Sequence, residues 1–189
     1  MTERINWEVI LFKNLLDPKD LVEEVPPERG SIKYTHNNIE WYPTEQQVHG
    51  SLARYNHPKF RKYHYQIKNR IEEIINDKLY PTYYYDRFYF KGQDLTKHTD
   101  RGACEVSLSL HISNNLNYDW PIWFETENGE WHEVVCNPGD GVLYKGITVP
   151  HWREKMKGDY KSYFHQIFFH YVRRDGHYVQ HAFDSAANT

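Results

Sequence analysis

Lys97-His98-Thr99-Asp100-Arg101-Gly102-Ala103-Cys104-Glu105-Val106-Ser107-Leu108-Ser109-Leu110-His111-Ile112 is the stretch whose reading decides the fold. From Cys104 to Ile112, Cys and aliphatic residues alternate with Glu105, Ser107, Ser109 and His111, the period of two that marks a strand with one apolar face. Just ahead of it, His98 and Asp100 stand two apart, and on an extended chain such side chains point to the same side. A third ligand type occurs much later, at His151 in Val149-Pro150-His151-Trp152-Arg153. Brought together by neighbouring strands, two imidazoles and one carboxylate would occupy one face of a metal and leave positions open. That is the arrangement of non-haem Fe(II) oxygenases. The competing reading is three polar residues in unrelated loops.

Outward from this stretch the chain is mostly short strands. Tyr83 to Phe90 is an aromatic strand. Trp120 to Thr126 and Trp131 to Val135 bracket Glu127-Asn128-Gly129-Glu130, a hairpin turn. Asn137-Pro138-Gly139-Asp140 is a tight turn feeding a strand from Val142 to Tyr144. A last strand runs from about Tyr160 to Val172, and the polar segment 176–189 is expected to be loosely ordered. Strands and turns at this cadence imply a sandwich or jelly roll. Toward the N-terminus, Trp7 to Phe12 reads as a strand and Ser31 to Tyr42 as an irregular one. Asp17-Pro18 starts a short helix ending near Val25. The longest helix follows Pro58, with Phe60, Tyr63, Ile67, Ile71, Ile74 and Ile75 at helical spacing, and is expected to end near Leu79 before Pro81.

At 189 residues the chain suits a single domain with a core that requires no disulfide or metal staple. Its net charge of −3 gives no global basic field, so nucleic acid is not the expected partner. The first residues lack a signal peptide's basic and apolar regions, and no apolar run reaches membrane-spanning length; a cytoplasmic, non-membrane chain is expected. Two cysteines, Cys104 and Cys136, make no disulfide framework and read as packed thiols. The 31 aromatic residues (16 Tyr, 9 Phe, 6 Trp) fit β-rich packing.

The joint pattern resembles a known superfamily. Tyr89-Phe90-Lys91-Gly92 precedes the His-x-Asp, an alternating strand follows it, and Pro138-Gly139-Asp140 with its strand precedes His151. Over about Tyr83 to Val172 this is similar to the Fe(II)- and 2-oxoglutarate-dependent dioxygenases, most of all to their prolyl-4-hydroxylase-like branch. The resemblance implies a mainly β fold, a double-stranded β-helix (cupin-like jelly roll) with N-terminal supporting helices: residues 1–80 as helical support, 81–175 as the core and 176–189 as a tail. It implies Fe(II) held by His98, Asp100 and His151, with 2-oxoglutarate and O₂ consumed to hydroxylate a C–H bond while succinate and CO₂ leave. The branch carries a cation some residues after the distal histidine for the far carboxylate of 2-oxoglutarate. Lys161 occupies that place, with Arg153 as the second candidate and the Tyr89 hydroxyl as a further donor. The run after His151 departs from the branch's Val-x-Pro-Val. A small-molecule or peptide substrate is implied, an amino acid or peptidyl residue first.

Other residues carry bland readings beside functional ones. Arg101, next to Asp100, reads as a substrate contact or, in preference, as a partner of a carboxylate behind the site or a surface group, and Arg153 with Glu154 reads slightly more readily as a surface ion pair than as an anion clamp. The stripe Ser107, Ser109, His111 either lines a pocket or faces solvent. His165 and His170 have opposite strand parity. Two other classes of function stay open: a non-catalytic jelly-roll module that binds a metal or ligand, and a zinc hydrolase.

Overall fold

The computed structural model describes residues 2–4, 8–25, 34–36, 39–43 and 47–184. Among them, thirteen strands form two sheets. The first half contributes β1 (Thr2–Arg4), β2 (Val9–Phe12), β3 (Tyr34–His36), β4 (Ile39–Pro43), β5 (Leu52–Tyr55) and β6 (Leu79–Phe90). Then come β7 (Leu95–His98), β8 (Val106–Asn114), β9 (Ile122–Glu125), β10 (Trp131–Val134), β11 (Gly141–Tyr144), β12 (His151–Arg153) and β13 (Tyr163–Arg173). The larger sheet runs β1-β2-β11-β8-β13-β6-β5-β4-β3, and the smaller one β10-β9-β12-β7. Every recorded pairing is antiparallel. Two such sheets face to face make the expected jelly roll.

The larger sheet is covered on both sides, which is why β6 and β13 carry large aromatic residues on both faces. On β13, Ile167, Phe169 and Tyr171 pack outward against Tyr63, Ile67 and Ile71 of the helix α1 (Arg61–Ile75). Phe164 and Phe168 point inward, with Tyr83, Tyr85 and Tyr89 of β6. The polar stripe of β8 also turns inward, with Ser107, Ser109 and His111 all buried. The interior of the roll is therefore polar along one wall. Across β6 and β13, a second polar group lies on the outer face: Asp86 Oδ2 accepts from Arg54 Nη2 at 2.8 Å and lies 2.9 Å from His165 Nε2. His165 and His170 thus occupy opposite faces.

The first eighty residues are not mainly helical: they supply β1 to β5, and α1 is the one α-helix among the described residues. The helix expected after Asp17 is a single 3-10 turn, Pro18–Asp20, with Asp17 Oδ1 capping the Lys19 amide at 3.0 Å. The segment expected as one irregular strand is β3 and β4; residues 31–33 and 37–38, like Trp7, lie outside the described ones. α1 ends at Ile75, earlier than expected, because Asn76 turns left-handed (φ 54°), a conformation asparagine tolerates. Glu72 Oε1 then accepts from the Leu79 amide at 2.9 Å, tying the helix to the start of β6. Pro81 lies inside β6 and not beyond a helix. It sits opposite Tyr171, where the ladder shifts register, so its missing N–H is accommodated. The tail is docked through Asp184: the Phe183 amide donates to Pro81 O at 2.7 Å, and Asp184 pairs with Arg101 at 2.8 Å.

Candidate metal centre

β7 and β12 pair antiparallel in the smaller sheet with His98 directly opposite His151. Cross-strand partners share a face, so the two imidazoles meet, their centroids 4.3 Å apart. Asp100 follows β7, and its amide donates to Gly146 O at 2.8 Å, which holds its carboxylate over the pair. One oxygen, Asp100 Oδ1, lies 3.5 Å from His98 Nε2 and 3.6 Å from His151 Nε2. The three ligand atoms all fall within 4.8 Å of one another.

The protons can be placed from the far side of each ring. His98 Nδ1 is 2.7 Å from Thr96 O, and His151 Nδ1 is 3.0 Å from Val149 O. A carbonyl only accepts, so each Nδ1 carries hydrogen, which leaves Nε2 as the atom that either ring can offer to a metal. Burial lowers the His151 pKa first of all, favouring the neutral form. Burial works to raise the Asp100 pKa, but its neighbours His98, His151 and His170 outweigh it and hold the carboxyl below its usual range. Two lone pairs and an anionic oxygen converging on one point repel unless a cation sits between them. Neutral nitrogen plus carboxylate is a donor set that suits Fe(II), and a single face leaves further positions open.

Asp100 is held from behind as well. Ser107 Oγ lies 3.1 Å from Asp100 Oδ2 and 2.9 Å from His170 Nδ1, so hydrogen bonds run from His170 through Ser107 to the carboxylate. Gly146 is required here: a Cβ would lie 2.2 Å from Cys104 O and 2.5 Å from Asp100 Oδ2. Asp100, Cys104 and His170 also come within reach of one another. Burial raises the Cys104 pKa and keeps the thiol protonated, against the tyrosine hydroxyl of Tyr83 at 3.2 Å. Cys136 is likewise pushed up to about 12 by burial, so neither cysteine is an activated nucleophile.

The residues considered for a co-substrate separate clearly. Lys161 precedes β13 and is exposed; its ammonium lies over the ring of Tyr160, and its amide bonds Asp159. The expected place at the start of the last strand is taken by a turn, because the chain after β12 makes a longer excursion before re-entering the sheet. Arg153 is buried instead of forming a surface pair. It lies over Trp120 and Phe164, and its Nη1 and Nη2 donate to Trp120 O (2.6 Å) and Gln166 Oε1 (2.8 Å). Its Nε has no partner among the described residues. Tyr89 is fully buried, and its hydroxyl accepts from Arg87 Nη1 at 2.9 Å. Arg101 stays at the rim, over Tyr83 and paired with Asp184.

A cavity of about 210 Å³ opens beside the triad, lined by Gln47, Tyr55, Tyr85, His98, Asp100 and Arg101 among others. A larger one, about 550 Å³, lies between the end of α1 and the outer face of the big sheet and touches none of His98, Asp100 and His151. Sequence reasoning offered Ser107 as lining a pocket but missed Gln47, Arg87, Gly146 and His170 as neighbours of the site. Only the odd-even phase of β6 and β13 could have pointed to Arg87 and His170.

No family model matches the chain, and no curated relative does. Solved structures do. The prolyl-4-hydroxylase of Pseudomonas putida superposes with a TM-score of 0.55 at 16% identity, over 71% of this chain and 77% of that one. A prolyl hydroxylase from Trichoplax adhaerens, in complex with a hypoxia inducible factor oxygen degradation domain peptide fragment, gives 0.60 at 11% identity over 87% and 83%. HygX from Streptomyces hygroscopicus, with nickel, 2-oxoglutarate and hygromycin B bound, gives 0.56 at 9% identity over 86% and 82%. The fold is theirs. Among the described residues, no helix is long and apolar enough to cross a membrane.

Proposed function

We propose that this chain belongs to the Fe(II)- and 2-oxoglutarate-dependent oxygenases and hydroxylates a C–H bond of a small molecule or peptide, releasing succinate and CO₂. The observation that carries this reading is the convergence of two Nε2 atoms, each backed by a carbonyl at Nδ1, and Asp100 Oδ1 at one point, in a fold shared with structures of such oxygenases. His98, Asp100 and His151 would hold the iron. Bound there, iron with 2-oxoglutarate would supply the electrons that activate O₂ for attack on an inert C–H bond. Thr96 O and Val149 O hold the two rings in the correct tautomer, and Ser107 orients the carboxylate.

Arg153 is the anchor we assign to the distal carboxylate of 2-oxoglutarate. It follows His151 by two residues on the same strand, is buried, and has neutral oxygens as its recorded partners. Burial pulls its pKa down, so an anion beside it would be stabilised strongly. Its planar fork suits a carboxylate better than the point charge of exposed Lys161. Tyr89, buried on the same interior, is the second donor we assign there. The test is succinate formation from 2-oxoglutarate with Fe(II), ascorbate and O₂ and no added substrate. Slow turnover that disappears in Asp100→Ala supports the reading; no turnover and no 2-oxoglutarate binding would favour a non-catalytic module.

A further inference from the structure

Three arginines are buried among the described residues: Arg54, Arg87 and Arg153. Arg54 has its carboxylate in Asp86. Arg153 has been assigned to 2-oxoglutarate. Arg87 remains, 1% exposed, with no carboxylate partner among the described residues. Its Nη1 donates to Tyr89 Oη at 2.9 Å, its Nη2 to Gln47 Oε1 at 2.8 Å, and its Nε has no partner among the described residues. A guanidinium taken out of water without a counter-charge is costly, and such a cost is retained where a ligand supplies the anion.

The position of Gln47 shows where that anion would sit. Its Oε1 accepts from Arg87, while its Nε2 lies 2.8 Å from His98 Nε2, the lone pair turned toward the metal position. One carboxamide therefore spans from Arg87 to the metal centre. Adding the carboxamide's own width, Arg87 Nη2 lies no more than roughly 8 Å from that nitrogen. Gln47 is exposed and lines the cavity, so it can swing away. The same cavity has an aromatic side: Tyr85 lies 5.2 Å from the Arg87 guanidinium and stacks on half-exposed Tyr55 at 4.9 Å.

Resting on the oxygenase reading, we infer that Arg87 is a second anion site, one that binds a carboxylate of the substrate when Gln47 is displaced. The substrate is then a small carboxylic acid, free amino acids being the leading class, whose remainder lies against Tyr85 and Tyr55. The C–H bond attacked lies within about two or three bonds of that carboxylate, since the span to the metal centre admits no more.

The other source of a carboxylate at Arg87 is 2-oxoglutarate itself, and calorimetry on the zinc-loaded protein separates the two. Titrating 2-oxoglutarate should give an affinity within about tenfold of wild type for Arg87→Met, which removes the partner of the Tyr89 hydroxyl, and a loss of more than about a hundredfold for Arg153→Met. The second arm titrates a panel of free L-amino acids and the matching primary amides, with and without saturating 2-oxoglutarate. Wild type should bind at least one acid about tenfold more tightly than its amide, and Arg87→Met should abolish the difference. Replacing an unpaired buried cation by an apolar side chain is tolerated; Arg87→Gln is the second variant should Arg87→Met not fold. Equal binding of acid and amide, no acid bound by wild type, or a loss of 2-oxoglutarate affinity in Arg87→Met matching that of Arg153→Met would overturn the inference. Arg87-dependent acid binding in a protein that ignores 2-oxoglutarate would keep the anion site and sink the oxygenase reading instead.

Discussion

His98 and His151 face each other across the β7–β12 ladder, and their Nε2 atoms lie 3.5 and 3.6 Å from the same oxygen of Asp100. Neither imidazole reaches this geometry by local preference. The pairing register sets it, and the two backbone carbonyls behind the rings fix which nitrogen each ring can offer. A one-residue slip of β12 would turn His151 to the opposite face.

His151→Ala should therefore lose Fe(II) binding while the fold survives. Removing a buried ring is expected to cost about 1–3 kcal/mol of stability. Metal affinity by calorimetry and far-UV circular dichroism check the two halves. Wild-type iron affinity in the variant would show that another residue is the third ligand.

Gly146→Ala tests the support of Asp100. A methyl group cannot fit 2.5 Å from Asp100 Oδ2, so the carboxylate must shift. Ser107→Ala removes its hydrogen-bond donor more gently. Iron affinity should fall about 10–100-fold in Ser107→Ala and further in Gly146→Ala. Unchanged affinity in both would mean that Asp100 does not bind the metal through this arrangement.

Arg153→Ala should raise the 2-oxoglutarate Kd by about two to three powers of ten, the cost of stranding a buried carboxylate, roughly 3–5 kcal/mol. Lys161→Ala should leave it nearly unchanged, because that side chain is exposed. The reverse result would return the anchor to Lys161 and require the loop before β13 to fold inward.

Stability should fall as the pH is lowered from 7 to 5. Burial pushes both His64 and His111 down to about 4 in the folded chain. With folded values below the unfolded 6.5, the unfolded chain binds more protons in this window, and stability rises with pH from about 4 to 6.5. Each residue contributes on the order of 2 kcal/mol of loss by pH 5. Urea unfolding at the two pH values measures this. A flat profile would show that the two rings are protonated without cost.

The jelly roll was legible because Val106 to Ile112 alternates and the turns at Glu127-Asn128-Gly129 and Pro138-Gly139-Asp140 punctuate the strands. His98, Asp100 and His151 could be singled out as a candidate set because residue type and spacing suggest it, and the structure brings them together. What stayed hidden depends on which face of a doubly covered strand looks inward. β6 is aromatic on both faces, so nothing in Tyr83 to Phe90 marks Arg87 as interior and Asp86 as exterior. The early end of α1 turned on one left-handed asparagine, Asn76, and the place of Lys161 on the length of one loop. Pro81 looked like a helix terminator because the bulge that admits it forms only where β6 pairs with β13, a strand some ninety residues away.

Anaerobic addition of Fe(II) and then 2-oxoglutarate, followed by visible absorption, tests the central claim most directly. A chelate at His98, Asp100 and His151 predicts a charge-transfer band that appears only when both are present and that Asp100→Ala abolishes. No band in the wild-type protein, with iron bound or not, would contradict the account.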